Sequence, residues 1–431
     1  MVKKVKLGLL GCGTVGTGVL KVLKENYREI TAKIGSEIEV SKVLVRDLSK
    51  KRNVDGNVIF TDNIDDILND EEIDIVVELL GGIHPSREYM LKAMEHKKHV
   101  VTANKDVVAQ YGKDMFEAAE KYDVDFMFEA SVAGGIPIIT PLKQCLTANK
   151  ITELIGIVNG TTNYMLTKMT EQSMDYNTAL LKAQAKGYAE ADPTADVEGL
   201  DAARKAAILS SIAFNTRVNL DDVEVEGITK ITPEDITYAK ELGYIIKLLA
   251  VAKHTADGID VRVHPTFIDK DHPLASVRNV FNAIFIHGNA VGDTMFYGKG
   301  AGEKPTASAV LADIIDVARD IGKQKFGKIR CTCYEEKKLC PPDKVLSCYY
   351  VRLLVEDKPG VLGAIATAFG ESNVSLYSVI QKRRVGEFSE IVAITHNVNN
   401  NQIEDLKIRL DKLEVVNKIS SVIRVVMSQE D

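Results

Sequence analysis

The sequence predicts an α/β protein: a doubly wound parallel sheet, then an α+β region, then a small βαββαβ plait. Three observations predict it. Over residues 1–135 short apolar runs alternate with helical stretches, the pattern of parallel strands joined by crossover helices. From about Ile151 the spacing of strands and helices becomes irregular. Between Tyr349 and Val426 the order reads strand, helix, strand, strand, helix, strand.

The elements follow in order. Val5–Leu10 is a short apolar strand that runs into Gly11-Cys-Gly-Thr-Val-Gly16, and a helix from about Thr17 to Tyr27 comes next. Glu39–Arg46 is the second strand. Asp74–Leu80 is nearly continuous in apolar residues, as parallel strands covered on both faces are. Ser86–His96 is helical, His99–Thr102 a strand, Gly112–Tyr122 a helix and Asp125–Glu129 a strand. Ile245–Ala252, broken only by Lys247, reads as a core helix segment. Val261–Pro265 reads as part of an antiparallel sheet, and a helix over Thr306–Gly322 closes the region. Lys323–Cys348 holds four cysteines, two prolines and many charges, a composition shift that marks a linker. The chain therefore divides into 1–135 with the helix 306–322, then 136–305, the linker 323–348, and 349–431.

Composition excludes several classes. At 431 residues the chain is too long for one ordinary domain. It is 45% hydrophobic and 27% charged, as soluble globular proteins are. A net charge of −7 argues against a nucleic-acid partner. No apolar run approaches the roughly 20 residues of a membrane helix. Leu7–Cys12 superficially resembles a short signal ending in a lipidation cysteine, but its apolar part is too short and Lys6 interrupts it. The expected location is cytoplasmic. Six cysteines do not make a disulfide scaffold.

The glycine spacing carries the first chemistry. Gly11 allows a tight turn, Gly13 lets backbone approach a pyrophosphate, and Gly16 lets the helix pack on the strand. With Thr14 and Val15, these residues open a helix whose N-terminus faces the anion. The alternative is a glycine-rich turn in an unrelated α/β protein. At the end of the second strand an NAD site places Asp or Glu. Here Arg46 stands there, with Lys50, Lys51 and Arg52 close behind. A guanidinium suits a 2′-phosphate, so NADP is favoured, with NAD kept open because Asp47 is adjacent.

Two further stretches carry reactive groups. Lys105 follows a core strand, and in an open parallel sheet that edge faces the cofactor crevice. Gly187–Lys205 places Glu190, Asp192, Asp196, Glu198 and Asp201 just ahead of Arg204 and Lys205. Asp201 and Lys205, four apart, share a helix face. Carboxylates beside one lysine can grip an amino-acid ammonium and move a proton. The plain alternative is an acidic surface loop leading into a helix.

Taken together, Gly11–Gly16, Thr102-Ala-Asn-Lys105, Glu129–Pro137, Asn159-Gly-Thr-Thr-Asn163, Gly187–Lys205 and Gly298–Thr306 resemble homoserine dehydrogenase. The likeness runs from about residue 4 to 325. Residues from Tyr349, including Val355-Glu-Asp-Lys-Pro-Gly-Val-Leu-Gly363, resemble an ACT domain, a ferredoxin-like plait. The resemblance implies a Rossmann-like first domain and a substrate-binding and dimerisation domain at 136–305. It implies a homodimer or homotetramer. The reaction it implies interconverts L-aspartate 4-semialdehyde and L-homoserine with NAD(P)H, in the route to threonine, methionine and isoleucine. It assigns Lys205 as acid/base and Lys105 as the lysine beside the nicotinamide and the substrate oxygen. It assigns Glu190 and Asp201 to the substrate, and Thr102 and Gly302 to the cofactor. Glu129, with the carbonyls of Val132, Gly134 and Ile136, matches a sodium site; the alternative is a plain turn closed by Pro137.

The chemistry agrees with these residue types. Aldehyde reduction needs a hydride donor, a cation where negative charge grows on oxygen, and a proton for the alkoxide. Lysine can supply the last two. The ammonium of a free amino acid needs a carboxylate, Glu190 first and Asp201 second; Asp201 has the alternative of orienting Lys205. Asp192, Asp196 and Glu198 are left to shape the loop. In the plait, Asp357–Gly360 forms the first strand–helix turn, where backbone donors can receive an amino acid's carboxylate. Asn373 precedes the second strand and can bond the same ligand. Threonine is the expected effector, and a purely oligomerising plait is the alternative. Cys331-x-Cys333 does not have zinc-ribbon spacing, and Cys12 and Cys145 read as small apolar residues. Two other readings compete: an amino-acid sensor whose enzyme part has decayed, and a dehydrogenase of another aldehyde.

Overall fold

The structure is a computed structural model that describes residues 3–52, 58–321 and 331–426. The chain begins with β1 (Lys3–Leu10), α1 (Thr14–Glu25), α2 (Tyr27–Ile34), β2 (Ser36–Leu44), β3 (Ile59–Thr61) and α3 (Asp65–Leu68). It continues with β4 (Ile75–Glu78), α4 (Ser86–Glu95), β5 (His99–Thr102), α5 (Lys105–Tyr122) and β6 (Phe126–Met127). Next come β7 (Ile151–Ile157), α6 (Gly160–Gln172), α7 (Tyr176–Ala185), α8 (Thr194–Val197) and α9 (Leu200–Ala213). After these lie β8 (Glu224–Val225), α10 (Pro233–Glu241), β9 (Tyr244–Thr255) and β10 (Gly258–Asp269). They are followed by β11 (Phe281–Gly288), β12 (Gly292–Lys299) and α11 (Glu303–Ile321). The last elements are β13 (Leu346–Glu356), α12 (Val361–Glu371), β14 (Leu376–Val385), β15 (Phe388–Thr395), β16 (Val398–Asn399), α13 (Asn400–Asp411) and β17 (Val416–Val426). Among the described residues no helix is long and apolar enough to cross a membrane.

The chain forms two compact units. One comprises residues 1–154, 203–223 and 281–336, the other residues 155–202, 224–280 and 337–431. In the first unit six parallel strands run in the order β3-β2-β1-β4-β5-β6, the order of a doubly wound nucleotide-binding sheet. Leu7, Leu9, Ile75 and Val77 are fully buried in its core, and α11 adds Ala307, Val310, Leu311 and Ile314 to the same core. Small residues set these distances: a Cβ on Gly18 of α1 would lie 2.5 Å from the Glu303 carbonyl oxygen that opens α11.

In the second unit β9 and β10 pair antiparallel along their full lengths. The terminal plait does not stand apart. Its last strand, β17, pairs in parallel with β10 through Thr266–Ile268 and Arg424–Val426. Beyond it lie β13, β15 and β14 in that order. One face of β13 (Tyr349, Val351, Leu353, Val355) packs on α12 and α13 residues such as Ile365, Phe369, Leu406 and Leu410. Its other face presents Tyr350, stacked on Phe267 at 4.4 Å, and Arg352, paired with Asp235 of α10 at 3.0 Å.

Several boundaries differ from those read in the sequence. Ile245–Ala252 is not helix but the centre of strand β9, seven consecutive residues of which are buried. A short run covered on both faces has no period that separates strand from helix. Helix α5 is interrupted at Tyr111 (φ −124°, ψ 15°), so the expected Gly112–Tyr122 helix is its second part; the first part begins at Lys105, where Asn104 caps it by accepting a hydrogen bond from the Val107 N–H. Helix α1 starts at Thr14, so Thr14–Gly16 form its first turn. The strand expected at Asp125–Glu129 is only Phe126–Met127, followed by a 3-10 turn at Glu129–Ser131. In the expected linker, Leu339 bridges Ile259, the Cys340 N–H donates to the Ile259 carbonyl at 2.8 Å, and Cys348 lies inside β13.

Candidate active site

The loops after β1 and β4 leave the same edge of the first sheet, and the glycine loop is one of them. Gly11 has φ +107°, which disfavours any other residue, and a Cβ there would sit 3.0 Å from the Leu79 carbonyl oxygen. A Cβ on Gly16 would sit 2.3 Å from the Gly11 carbonyl oxygen. A Cβ on Gly13 would meet nothing within 4 Å, so this backbone faces open space. Gly13 is also the N-cap of α1 and offers no side chain to its N–H groups. The first N–H groups of a helix lack intrahelical partners, so the turn Thr14-Val15-Gly16 fits the pyrophosphate of a dinucleotide. Gly302, φ +127°, precedes α11.

Arg46 is exposed two residues beyond β2. Its neighbour Asp47 is turned back on its own loop, accepting from the Ser49 N–H at 2.8 Å and the Ser49 hydroxyl at 2.6 Å. Those bonds hold the Asp47 carboxyl below its ordinary range. Arg52 is tied to the carbonyls of Asp47 and Lys50, each at 2.9 Å.

A buried carboxylate missed in the sequence organises the next loop. Glu78, the last residue of β4 and fully buried, accepts from the Leu80 N–H at 2.8 Å and the Thr102 hydroxyl at 2.7 Å. The Thr102 side chain thus serves the loop, which leaves its backbone for a cofactor. Asn104 donates to the Gly82 carbonyl at 2.7 Å. Glu78 and Asn104 therefore hold the chain on both sides of the turn that delivers Lys105, the first residue of α5. The signal for Glu78 was a single acid ending an otherwise apolar strand.

Lys205 lies on α9. Its neighbour Arg204 pairs with Asp106, the residue after Lys105, through Nε and Oδ1 at 2.7 Å. This ion pair joins the two helix turns from which Lys105 and Lys205 project. It too was not singled out in the sequence.

The second unit holds the carboxylates and the Asn159 block. Asp201 is buried and accepts from the Asn159 amide at 2.9 Å, while Asp196 accepts from the same amide at 2.7 Å. Asn159 in turn caps α6 through the Thr162 N–H at 2.9 Å. Asp192 accepts from the Thr194 N–H at 3.1 Å and its hydroxyl at 2.6 Å, closing the loop. Glu190 is exposed, and its carbonyl accepts from Gln184 at 3.0 Å.

Glu129 is buried. One carboxylate oxygen accepts from the N–H groups of Ile138 and Ile139 at 2.6 and 2.8 Å, and the other from Thr140 at 2.7 Å. A carboxylate offers about four acceptor positions, so one remains for a cation. The adjoining Val132–Ile136 turn is sharp, with φ 56° at Ala133 and 52° at Gly134. Carboxylate and carbonyl oxygens are the donor class that hard cations take. The turn also touches the loop before α11: the Gly135 N–H donates to the Lys299 carbonyl at 3.0 Å. Asp313 accepts from the Glu129 N–H at 2.8 Å, and burial, with Glu129 beside it, pushes its carboxyl well above the ordinary range.

In the plait, Gly360 (φ +91°) caps the start of α12 without a side chain, and Asn373 (φ 54°) follows its end. An 11-residue helix is roughly 16 Å long. A single chain therefore does not bring Gly360 and Asn373 together. Asp357 lies 3.6 Å from the Arg384 guanidinium.

Comparisons with known proteins agree with this architecture. Residues 11–129 match the family model described as homoserine dehydrogenase, NAD binding domain. Residues 137–315 match the one described as homoserine dehydrogenase, and residues 349–415 match the ACT domain. The homoserine dehydrogenase of Synechocystis is 45% identical over 98% of this chain and 99% of its own. The crystal structure of a homoserine dehydrogenase from Thiobacillus denitrificans superposes with a TM-score of 0.94 at 42% identity, covering 99% of each chain. A hyperthermophilic archaeal homoserine dehydrogenase in complex with NADPH superposes with a TM-score of 0.64 at 26% identity, over 76% of this chain and 100% of its own.

Proposed function

The chain belongs to the homoserine dehydrogenase family, NAD(P)-dependent oxidoreductases, and we propose how its residues divide the work. The ion pair between Arg204 and Asp106 carries the reading, because it joins the helix turns of the two lysines. The cofactor supplies the hydride. Lys205 gives the proton to the alkoxide formed from L-aspartate 4-semialdehyde, and takes it back when L-homoserine is oxidised. Lys105 offers its ammonium to the oxygen as charge grows there. Glu190 receives the substrate ammonium. Asp201 holds Asn159, and through it the loop that carries Glu190, and is the second contact for the substrate. Following absorbance at the NADPH band with L-aspartate 4-semialdehyde, then with L-homoserine and NADP, tests the reading; no turnover in either direction would end it.

We propose NADP as the preferred dinucleotide, bound by the Gly11–Gly16 turn, by the backbone at Thr102 and Gly302, and by Arg46 at the 2′-phosphate. The support is the exposure of Arg46 beside an aspartate tied to its own loop; the NADPH complex of the archaeal relative points the same way. Arg46→Ala is expected to weaken NADPH binding roughly tenfold or more and to leave NADH nearly unchanged. Unchanged NADPH affinity would refute this. We also propose sodium at Glu129 with the carbonyls of Val132, Gly134 and Ile136, tested by running the same assay with choline as the only counterion.

We propose that threonine binds the plait between two copies of the chain. The two ends of α12 are too far apart to share one amino acid, so Asp357 and Gly360 of one copy would face Asn373 of another. This requires a homodimer or homotetramer, and it fits feedback by an end product of threonine, methionine and isoleucine synthesis. Added threonine is expected to inhibit turnover and raise the melting temperature. A titration that moves neither rate, melting nor sedimentation would leave the plait a purely oligomerising domain. Small soluble substrates support a cytoplasmic location, which cell fractionation tests.

A further inference from the structure

Cys331 and Cys333 take no part in the machinery above, yet Cys333 rests against the two helices that carry Lys105 and Lys205. Cys333 lines a small cavity of about 40 Å³ with Val108, Gly112 and Phe116 of α5, Ala207 and Ser211 of α9, and Arg217. Its sulfur lies 3.6 Å from the Ser211 carbonyl oxygen. The segment is pinned two residues further on, where the Glu335 N–H donates to the Asn215 carbonyl at 3.0 Å. Neither cysteine is fully buried.

Two cations face the pair. The Arg217 guanidinium is 4.0 Å from the Cys331 sulfur. The Lys143 ammonium is buried over the rings of Phe116 and Phe128, at 4.7 and 5.3 Å from their centroids, and interacts electrostatically with both thiols. A hydrogen bond from Cys333, helped by Arg217 and Lys143, favours the Cys331 thiolate and pulls that thiol below its ordinary range. The same bond pushes Cys333 up. A low, partly exposed thiolate beside a second thiol is the arrangement of redox-sensing cysteines.

We propose that Cys331 and Cys333 form a reversibly oxidisable dithiol whose disulfide changes the packing between α5 and α9. The oxidant is a peroxide. The Cys331 thiolate attacks a peroxide oxygen, the O–O bond breaks, and the departing oxygen takes a proton and leaves as water. Cys331 is then a sulfenic acid. Cys333, giving up its proton, attacks that sulfur; the S–S bond forms, the S–O bond breaks, and a second water leaves. Two electrons pass from the thiols to the peroxide. Arg217 and Lys143 stabilise the anionic sulfur in the first step. The effect on turnover rests on the roles given above to Lys105 and Lys205; formation of the bond does not.

The test treats the full-length protein with hydrogen peroxide, quenches with catalase, alkylates free thiols and maps peptides by mass. The peptide spanning Cys331 and Cys333 is expected to lose two hydrogens, to resist alkylation, and to recover with dithiothreitol. In Cys333→Ser, dimedone is expected to trap a sulfenic acid on Cys331. Oxidation of the wild type is expected to change kcat by about threefold or more, reversibly, and Cys331→Ser is expected to abolish that response. Two alkylatable thiols in this peptide after peroxide would overturn the proposal. So would dimedone labelling of Cys333 in Cys331→Ser, or a complete disulfide with kcat unchanged.

Discussion

Replacing Lys205 by alanine is expected to lower kcat by about 10²–10⁴-fold, the usual share of a positioned acid/base, while NADPH still binds. The expectation follows from position. Lys205 sits on α9 next to Arg204, and Arg204 forms an ion pair with Asp106 at the head of α5. Removing the Lys205 side chain leaves that ion pair and the glycine loop in place, so cofactor affinity measured by fluorescence is expected to hold. Lys205→Arg separates charge from proton transfer. A guanidinium keeps the positive charge but does not deprotonate, so this variant is expected to fail in homoserine oxidation as fully as alanine does. Near-normal turnover in either variant would remove Lys205 from the mechanism. Lys105→Ala is expected to cripple turnover as well, but its arginine variant is expected to retain more activity, because its assigned work is electrostatic.

What could be read from the sequence divides along a physical line. The glycine loop was legible because each glycine answers a local backbone demand: a positive φ at Gly11, an open face at Gly13, a contact with the Gly11 carbonyl at Gly16. The second part of α5, from Gly112, was legible in its helical pattern, while the first part rests on the Asn104 cap and ends at the kink at Tyr111. Strand β9 was not legible, because Ile246–Ala252 is buried throughout and such a run carries no period. Glu78 and the Arg204–Asp106 pair were not legible either. Their partners lie 24 and 98 residues away, and single charges give no sign of which distant group they meet. The union of β17 with β10 is the same kind of fact. It joins two regions that sequence spacing separates.

That union explains why the second large effect is expected at Arg352. Its guanidinium is buried and takes four partners. It reaches Asp235 at 3.0 Å and Glu390 at 2.8 Å, and Thr232 and Ser421 hydroxyls at 3.0 and 3.4 Å. Ser421 bonds Asp235 at 2.8 Å, and Tyr238 bonds Glu390 at 2.9 Å. The network ties α10 to β13, β15 and β17 of the plait. Arg352→Ala would leave two carboxylates buried without their cation, and breaking a buried pair in this way costs about 3–5 kcal/mol. Urea unfolding is expected to show that loss, with the residues around α10 and β13 exchanging amide hydrogens earliest. A loss below about 1 kcal/mol, the range of exposed pairs, would mean that water reaches the network. Replacing Arg352, Asp235 and Glu390 together by apolar residues of similar volume is expected to recover most of the stability, since the cost lies in the stranded charges rather than in the missing contacts. If threonine inhibits the wild type as proposed, recovery of stability without that inhibition would assign this network to communication from the plait, and recovery of both would assign it to docking of the plait on α10 alone.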